Sequence, residues 1–353
     1  MSTATFADRL LDWYHEHGRH DLPWQQPRTP YRVWLSEIML QQTQVATVIP
    51  YFERFTRDYP DIHALAAATE DDVLHRWSGL GYYARARNLL KTAKIVSTEH
   101  SGDFPRTVDE LTELPGIGRS TAGAIVALGY GVVAPILDGN VKRVLARYHS
   151  INGWPGKSAT LKRLWDAAEE HTPGADAITA YTQAIMDLGA TLCTRSKPLC
   201  PVCPQRDHCQ AHSSGRQLDY PGKKPKKARP QRTTTMLLAE HDGAVMLARR
   251  ASTGLWGGLW SLPEVEDESA VTTWAATRGI QARSTEPWAP LKHTFSHYDL
   301  TIQPIRVQIS ERPVGVAEQD NTLWYKLDAP ADVGLAAPVA RLIDELKTRM
   351  SGP

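Results

Sequence analysis

The stretch Leu114–Ile125, LPGIGRSTAGAI, decides how this chain is read. Two glycines, Gly116 and Gly118, flank one isoleucine, and small and apolar residues follow. Glycine takes positive φ readily and lets a ligand approach the backbone closely. The residues after it open a helix, whose free N–H groups and positive dipole end favour a phosphate. A Gly-x-Gly alone marks many turns. Here a helical segment, TVDELTEL, precedes it and a small-residue helix, STAGAIVALGY, follows. That is a helix–hairpin–helix, which grips a DNA backbone without reading sequence. At the seventh position of the stretch Ser120 offers a hydroxyl and not an amine.

The chain has 353 residues, enough for two or three domains. Its 42% hydrophobic and 22% charged residues suit a soluble globular protein. The net charge of +1 argues neither for nor against nucleic acid. No apolar run approaches the roughly 18 residues of a membrane span, and the first twenty residues lack the apolar core of a signal peptide. The four cysteines lie between Cys193 and Cys209. A secreted disulfide framework would spread them, whereas clustering in a reducing compartment favours metal ligation.

From Phe6 to about Leu192, apolar residues recur at three- and four-residue spacing, which predicts many short helices and no strand. Between Arg216 and Arg232 stand seven Lys/Arg, one acid and three prolines. This reads as a basic extended linker, either a solvated connector or a strap along phosphates. After it the period becomes two. TTTMLLAEHDGAVMLARR predicts strand, Asp-Gly turn, strand. YDLTIQPIRVQI predicts another strand, with Pro304 at a bulge or an edge. A last helix is expected over Ala337–Arg349, which makes the second domain α+β.

Two carboxylates and the cysteines carry chemistry. Glu37 is the only charged residue between Arg32 and Glu53, on a helix with Val33, Trp34, Ile38 and Leu40. Such surroundings raise a carboxyl pKa, unless the residue is merely half exposed. Asp138 precedes GNVKRVLARY and reads equally as an N-cap. The spacing Cys193-x6-Cys200-x2-Cys203-x5-Cys209 suits zinc or a [4Fe–4S] cluster, though only Cys200 and Cys203 form a close pair.

ELPGIGRSTAGAI followed by PILDGNVKRVLAR resembles the helix–hairpin–helix DNA glycosylases, and nearly the whole chain resembles their MutY-type adenine-specific branch. The resemblance implies an all-α helix–hairpin–helix glycosylase core with a [4Fe–4S] loop, plus an α+β Nudix-like C-terminal domain. It divides the chain into a helical catalytic region at 1–215, a basic linker at 216–232 and a recognition domain at 233–353. Within the first, residues 21–132 would form the six-helix subdomain and 1–20 with 133–215 the iron–sulfur subdomain. It implies hydrolysis of the N-glycosidic bond of adenine opposite 8-oxoguanine or guanine in duplex DNA. Glu37 would be the general acid and later the activator of water, Asp138 the carboxylate that stabilises the sugar cation, and Asn140 a fixer of site geometry. Lys142 lies four residues beyond Asp138 and is not required.

Some relatives carry a lysine at the Ser120 position, which attacks the sugar. Serine cannot form a Schiff base, so water is the expected nucleophile and the enzyme monofunctional. Cys193, Cys200, Cys203 and Cys209 would hold the cluster, with Arg195, Lys197 and Arg206 near phosphates. Gly116, Gly118 and Ser120 would meet the DNA backbone, Gln41, Gln42 and Thr43 would fill the vacated stack, and Tyr82, rather than Tyr83, would wedge beside the opposite base. Trp24, Leu40, Val45 and Gln183 would line the adenine pocket. In HTFSHYDL, Ser296 would contact the oxidised base with Phe295 and His297 beside it. GLWGGLWSLPEVE stands where the Nudix signature would be, but DESAVTTWAATRG lacks its glutamates, which opposes nucleotide hydrolysis. Ser120 and the extra domain oppose a glycosylase/lyase, and Glu37 with Asp138 oppose a non-catalytic DNA-binding module. A monomer in a bacterial cytoplasm, at the nucleoid, completes the expectation.

Overall fold

The computed structural model of the chain describes residues 4–225, 228–295, 298–311 and 321–350. They fall into two compact units, residues 1–67 with 88–226 and residues 68–87 with 227–353. Residues 68–87, read from sequence as part of the helical region, therefore group with the strand-bearing unit.

The first unit is helical. Phe6–His17 opens it, started by a capping box in which Thr5 and Asp8 satisfy each other's backbone N–H groups. Pro30–Leu40 starts from a Thr29 cap with proline at its first position, where no N–H is needed. Trp34, Leu35 and Met39 on this helix are fully buried, and Phe52 and Phe55 of Val45–Asp58 with them. The hairpin links the short helices Val108–Thr112 and Arg119–Ala124. The latter widens into a π-turn over Ile125–Gly129. Gly116 has φ +80°, as a tight turn requires. Gly118 does not: its φ is −95°, because it serves as the N-cap of the next helix. Gly139–Tyr148, Ser158–His171 and Ala175–Asp187 follow, the last running into a π-turn over Leu188–Leu192.

The second unit holds an eight-stranded sheet. Its strands are β1 (Gln231–His241), β2 (Ala244–Arg249), β3 (Trp260–Ser261), β4 (Glu264–Val265), β5 (Ala282–Pro287), β6 (Leu291–Thr294), β7 (Asp299–Ile309) and β8 (Thr322–Lys326). The order is β3-β2-β1-β7-β5, with β8 beside β2, β4 beside β1 and β6 beside β7. The β1–β2 hairpin turns at Asp242 and Gly243, both at positive φ, as a two-residue Asp-Gly turn demands. Pro304 is neither at an edge nor at a bulge, since β7 pairs in parallel with β1 through Met236↔Pro304. Its carbonyl accepts the Trp288 N–H at 2.9 Å, so its nitrogen points to the same side, into the gap between β5 and β6 where no donor is needed. Leu237, Met246, Ile305 and Val307 form a core with Val271 and Trp274 of the Ala270–Ala276 helix. The final helix runs Ala337–Met350. The Glu70–Trp77 helix belongs here through Arg249, which pairs with Asp71 at 3.1 Å, and Tyr83, whose hydroxyl donates to the Leu335 carbonyl.

The basic segment is extended only in part. Residues 217–222 pack on the first unit: Tyr220 is buried, Arg147 donates to the Gln217 and Tyr220 carbonyls, and Gly222 N–H bonds to Gly153. At its far end Gln231 and Arg232 already belong to β1.

Candidate active site

Glu37 and Asp138 come from separate helices and face the same cavity, of about 860 Å³. Glu37 stands in the third turn of Pro30–Leu40, between buried Ser36 and Ile38. Burial is the first cause, and the charge of Asp138 the second, that push its carboxyl up to about 8. Asp138 caps Gly139–Tyr148 and accepts the Val141 N–H at 2.8 Å. Asp138 is therefore an N-cap, and the same residue lines the cavity. Burial raises its pKa, but the Val141 and Asn140 N–H groups and the Arg143 and Lys142 charges oppose that rise.

The cavity wall contains most of the residues singled out from sequence: Trp24, Leu40, Gln41, Gln42, Thr43 and Val45 on one side, Ser120, Asn140, Lys142 and Gln183 on the other. Ser120 has a definite partner, for its Oγ accepts the Leu137 N–H at 2.9 Å. The hydroxyl thus tethers the residue just before Asp138 to the hairpin helix. Gln42 lies at φ +59° and is exposed. Such left-handed backbone is uncommon for a residue with a side chain, and it clusters at functional positions.

Tyr82 belongs to the second unit and likewise has φ +50°, with 49% of its surface exposed. Gly116 and Gly118 lie at the hairpin, outside the cavity wall. Tyr83 is buried. Ser296 and His297 lie outside the described residues, while Phe295 stacks near Trp256 and Tyr298.

Sequence reasoning missed three supports. Asp187, fully buried, accepts from Arg19 at 2.6 and 2.9 Å and from the Gln183 amide at 2.8 Å. Arg19 and Asp187 are 168 residues apart, so no local pattern announces them. Arg143 donates to Asn140 Oδ1 at 2.8 Å and to the Gly189 and Cys193 carbonyls. Gly189 lets the π-turn approach Asn140, since a Cβ there would lie 2.5 Å from the Asn140 Cβ. A glycine at a helix end was the only available signal.

The four cysteines line one small hollow with Arg147 and His212, and all are free thiols. Arg147, almost wholly buried, donates to Cys193 Sγ at 3.2 Å and to the carbonyls of Thr194 and Arg195. Burial, followed by the neighbouring thiols after a single opposing N–H bond from Gln205, pushes Cys203 up to about 12. Four thiols in one desolvated place suit a cation. Among the described residues, the one trio of His, Cys, Asp or Glu ligand atoms within 4.8 Å of one another is His149, Glu170 and His171.

A hairpin beside a cavity with two carboxylates defines a class, the base-excision helix–hairpin–helix proteins. Residues 35–170 match the family model for the HhH-GPD superfamily base excision DNA repair protein, and residues 234–345 match the NUDIX domain. A solved thermostable thymine-DNA glycosylase is similar at a TM-score of 0.54 and 27% identity, over 59% of this chain and 95% of that one. The adenine DNA glycosylase of Buchnera aphidicola subsp. Acyrthosiphon pisum is 38% identical, over 98% of this chain and 99% of its own length. That of Rattus norvegicus is 37% identical over 85% of this chain and 70% of its own. The chain belongs to the adenine DNA glycosylase family. Among the described residues no helix is long and apolar enough to cross a membrane.

Proposed function

We propose that the chain is a monofunctional glycosylase of base excision repair that hydrolyses the N-glycosidic bond of adenine opposite 8-oxoguanine or guanine in duplex DNA. The observation that carries this reading is the Glu37–Asp138 pair facing one cavity whose Ser120 hydroxyl is bonded to backbone. Glu37 is protonated at neutral pH and donates to a ring nitrogen of the departing purine. Asp138 is the member of the pair that holds the charge, because two backbone N–H groups and two cations face it. It stabilises the oxocarbenium-like sugar, and Glu37, now ionised, takes a proton from the attacking water. Asn140, oriented by Arg143, fixes the geometry.

Trp24, Leu40, Val45 and Gln183 receive the flipped adenine. Gln41 and Gln42, with Thr43 beside them, replace it in the stack, Tyr82 wedges beside the opposite base, and extrusion is cheapest at a mispair. Gly116, Gly118 and Ser120 hold the backbone. Ser296 reads the oxidised base. Cys193, Cys200, Cys203 and Cys209 fit a [4Fe–4S] cluster, which when bound ties together four points of a loop carrying Arg195, Lys197 and Arg206. The proposal keeps a catalytic region at 1–215, a linker at 216–232 and a recognition domain from 233, in a monomer working at the nucleoid of a bacterial cytoplasm.

The test is a duplex with one adenine opposite 8-oxoguanine, incubated with the protein and then treated with or without alkali. Strand breakage only after alkali is expected. Breakage without alkali would assign a lyase, with Lys142 the amine at hand. An intact strand in both arms would refute the activity.

A further inference from the structure

A second cluster lies outside the cavity and the cysteine loop. His149 caps the C-terminus of Gly139–Tyr148, and Glu170 and His171 end Ser158–His171. We propose that His149, Glu170 and His171 form a binding site for a borderline divalent cation such as zinc. One ligand atom from each lies within 4.8 Å of the others. The two Nε2 atoms meet at 2.7 Å, and the rings are within 16° of parallel.

The rings are held before any metal arrives. Phe6 stacks on His171 at 4.5 Å, and Tyr148 stands edge-on to both imidazoles, at 4.9 and 5.5 Å. Little rotamer freedom is left to lose on binding. The nitrogens need to part only slightly, to the roughly 3.3 Å that tetrahedral zinc with bonds of about 2.0 Å requires. Burial lowers both histidine pKa values, and His149 lowers that of His171 further. The neutral, ligating form is thus favoured at neutral pH. Glu170 is exposed and supplies the anionic ligand, leaving a fourth position to water. The Arg9 guanidinium, the nearby competing cation, is turned to Tyr148 Oη and Gln205. Two imidazoles and one carboxylate select zinc, cobalt or nickel over magnesium or calcium. A bound ion would fasten together the C-terminal ends of two helices, one of which is capped by Asp138 and reaches Cys193 through Arg143 and Arg147.

The test uses the full chain with its cysteine site loaded, titrated with zinc(II) by calorimetry and with cobalt(II) by visible absorption. We expect one equivalent bound, with weak ligand-field bands and no intense thiolate charge-transfer band. His149→Gln and His171→Gln should each weaken binding by more than the roughly 10–100-fold that loss of an outer-shell partner costs, and Glu170→Gln by roughly tenfold. Retained adenine excision confirms that each variant is folded. Should a histidine variant misfold, the imidazole nitrogen resonances of the unaltered protein decide, because zinc must shift those of His149 and His171 together. No uptake at millimolar metal, equal affinity in the histidine variants, thiolate bands or unmoved imidazole resonances would each overturn the site.

Discussion

Replacing Glu37 by glutamine should stop excision and make the protein more stable, and the two effects share one cause. The carboxyl ionises near 4.5 in an unfolded chain and near 8 in the folded one. Below pH 4.5 it is protonated in both states and nothing is lost. As pH rises from 4.5 to 8 the folded chain must retain a proton that the unfolded chain releases, so stability falls across that window and levels off above it. At pH 7 the difference is 2.5 pH units, or about 3 kcal/mol. That figure is a ceiling, since part of the side chain faces the cavity. Glutamine keeps the shape and has no proton to retain. At roughly 2–4 °C per kcal/mol, Glu37→Gln should melt several degrees higher at pH 7.5 and show no difference at pH 4.5. The assay is a pair of thermal scans at matched rate across that range, with single-turnover excision and DNA binding beside them. Excision should fall by at least the roughly 10²–10⁴ of a lost general acid, with binding retained. Equal melting temperatures at every pH would refute the raised pKa, and wild-type excision would refute the role.

Two further outcomes follow from close contacts. Gly189→Ala places a methyl 2.5 Å from the Asn140 Cβ and 3.0 Å from its Cα, atoms that cannot swing aside, so a loss of about 1–3 kcal/mol is expected in denaturant titration, with excision reduced beyond it. Gly118→Ala, which meets open space at negative φ, is the matched control and should cost less, about the few tenths to 1 kcal/mol of a weaker N-cap. Metal analysis should find iron and sulfide in roughly equal amounts, and Cys203→Ala should lose both along with soluble yield; one zinc and no iron would contradict the cluster.

The parts legible in the sequence are those set by local pattern. The lone carboxylate of Glu37 on an apolar helix was visible in the sequence, whereas its part in the chemistry came only as what the family resemblance implies. The Asp-Gly hairpin and the change of period after Arg232 gave the strand unit, and clustering gave the cysteine site. What stayed hidden depends on distance or on backbone shape. Gln42 and Tyr82 were singled out as side chains, yet nothing local foretold their left-handed backbone. Glycine permits positive φ at Gly118, but capping the next helix needs extended backbone there instead. The Arg19–Asp187–Gln183 network joins residues whose separation defeats any window. Pro304 was placed at a bulge or an edge by a rule about missing donors, and a gap between two short strands satisfied the same rule inside the sheet.

The grouping of residues 68–87 with the strand unit has a consequence for how the protein is made. The Glu70–Trp77 helix leaves the ribosome early, but its companions Gly258 and Gly334, both within contact of Leu74, are made near the end. At about 5–20 residues per second, the apolar face of that helix waits on the order of ten seconds or more before its partners emerge. During that interval Val73, Leu74 and Trp77 are natural ligands for chaperones. Slowed synthesis, or a stop codon anywhere before Gly258, should therefore leave a nascent chain whose solubility depends on them.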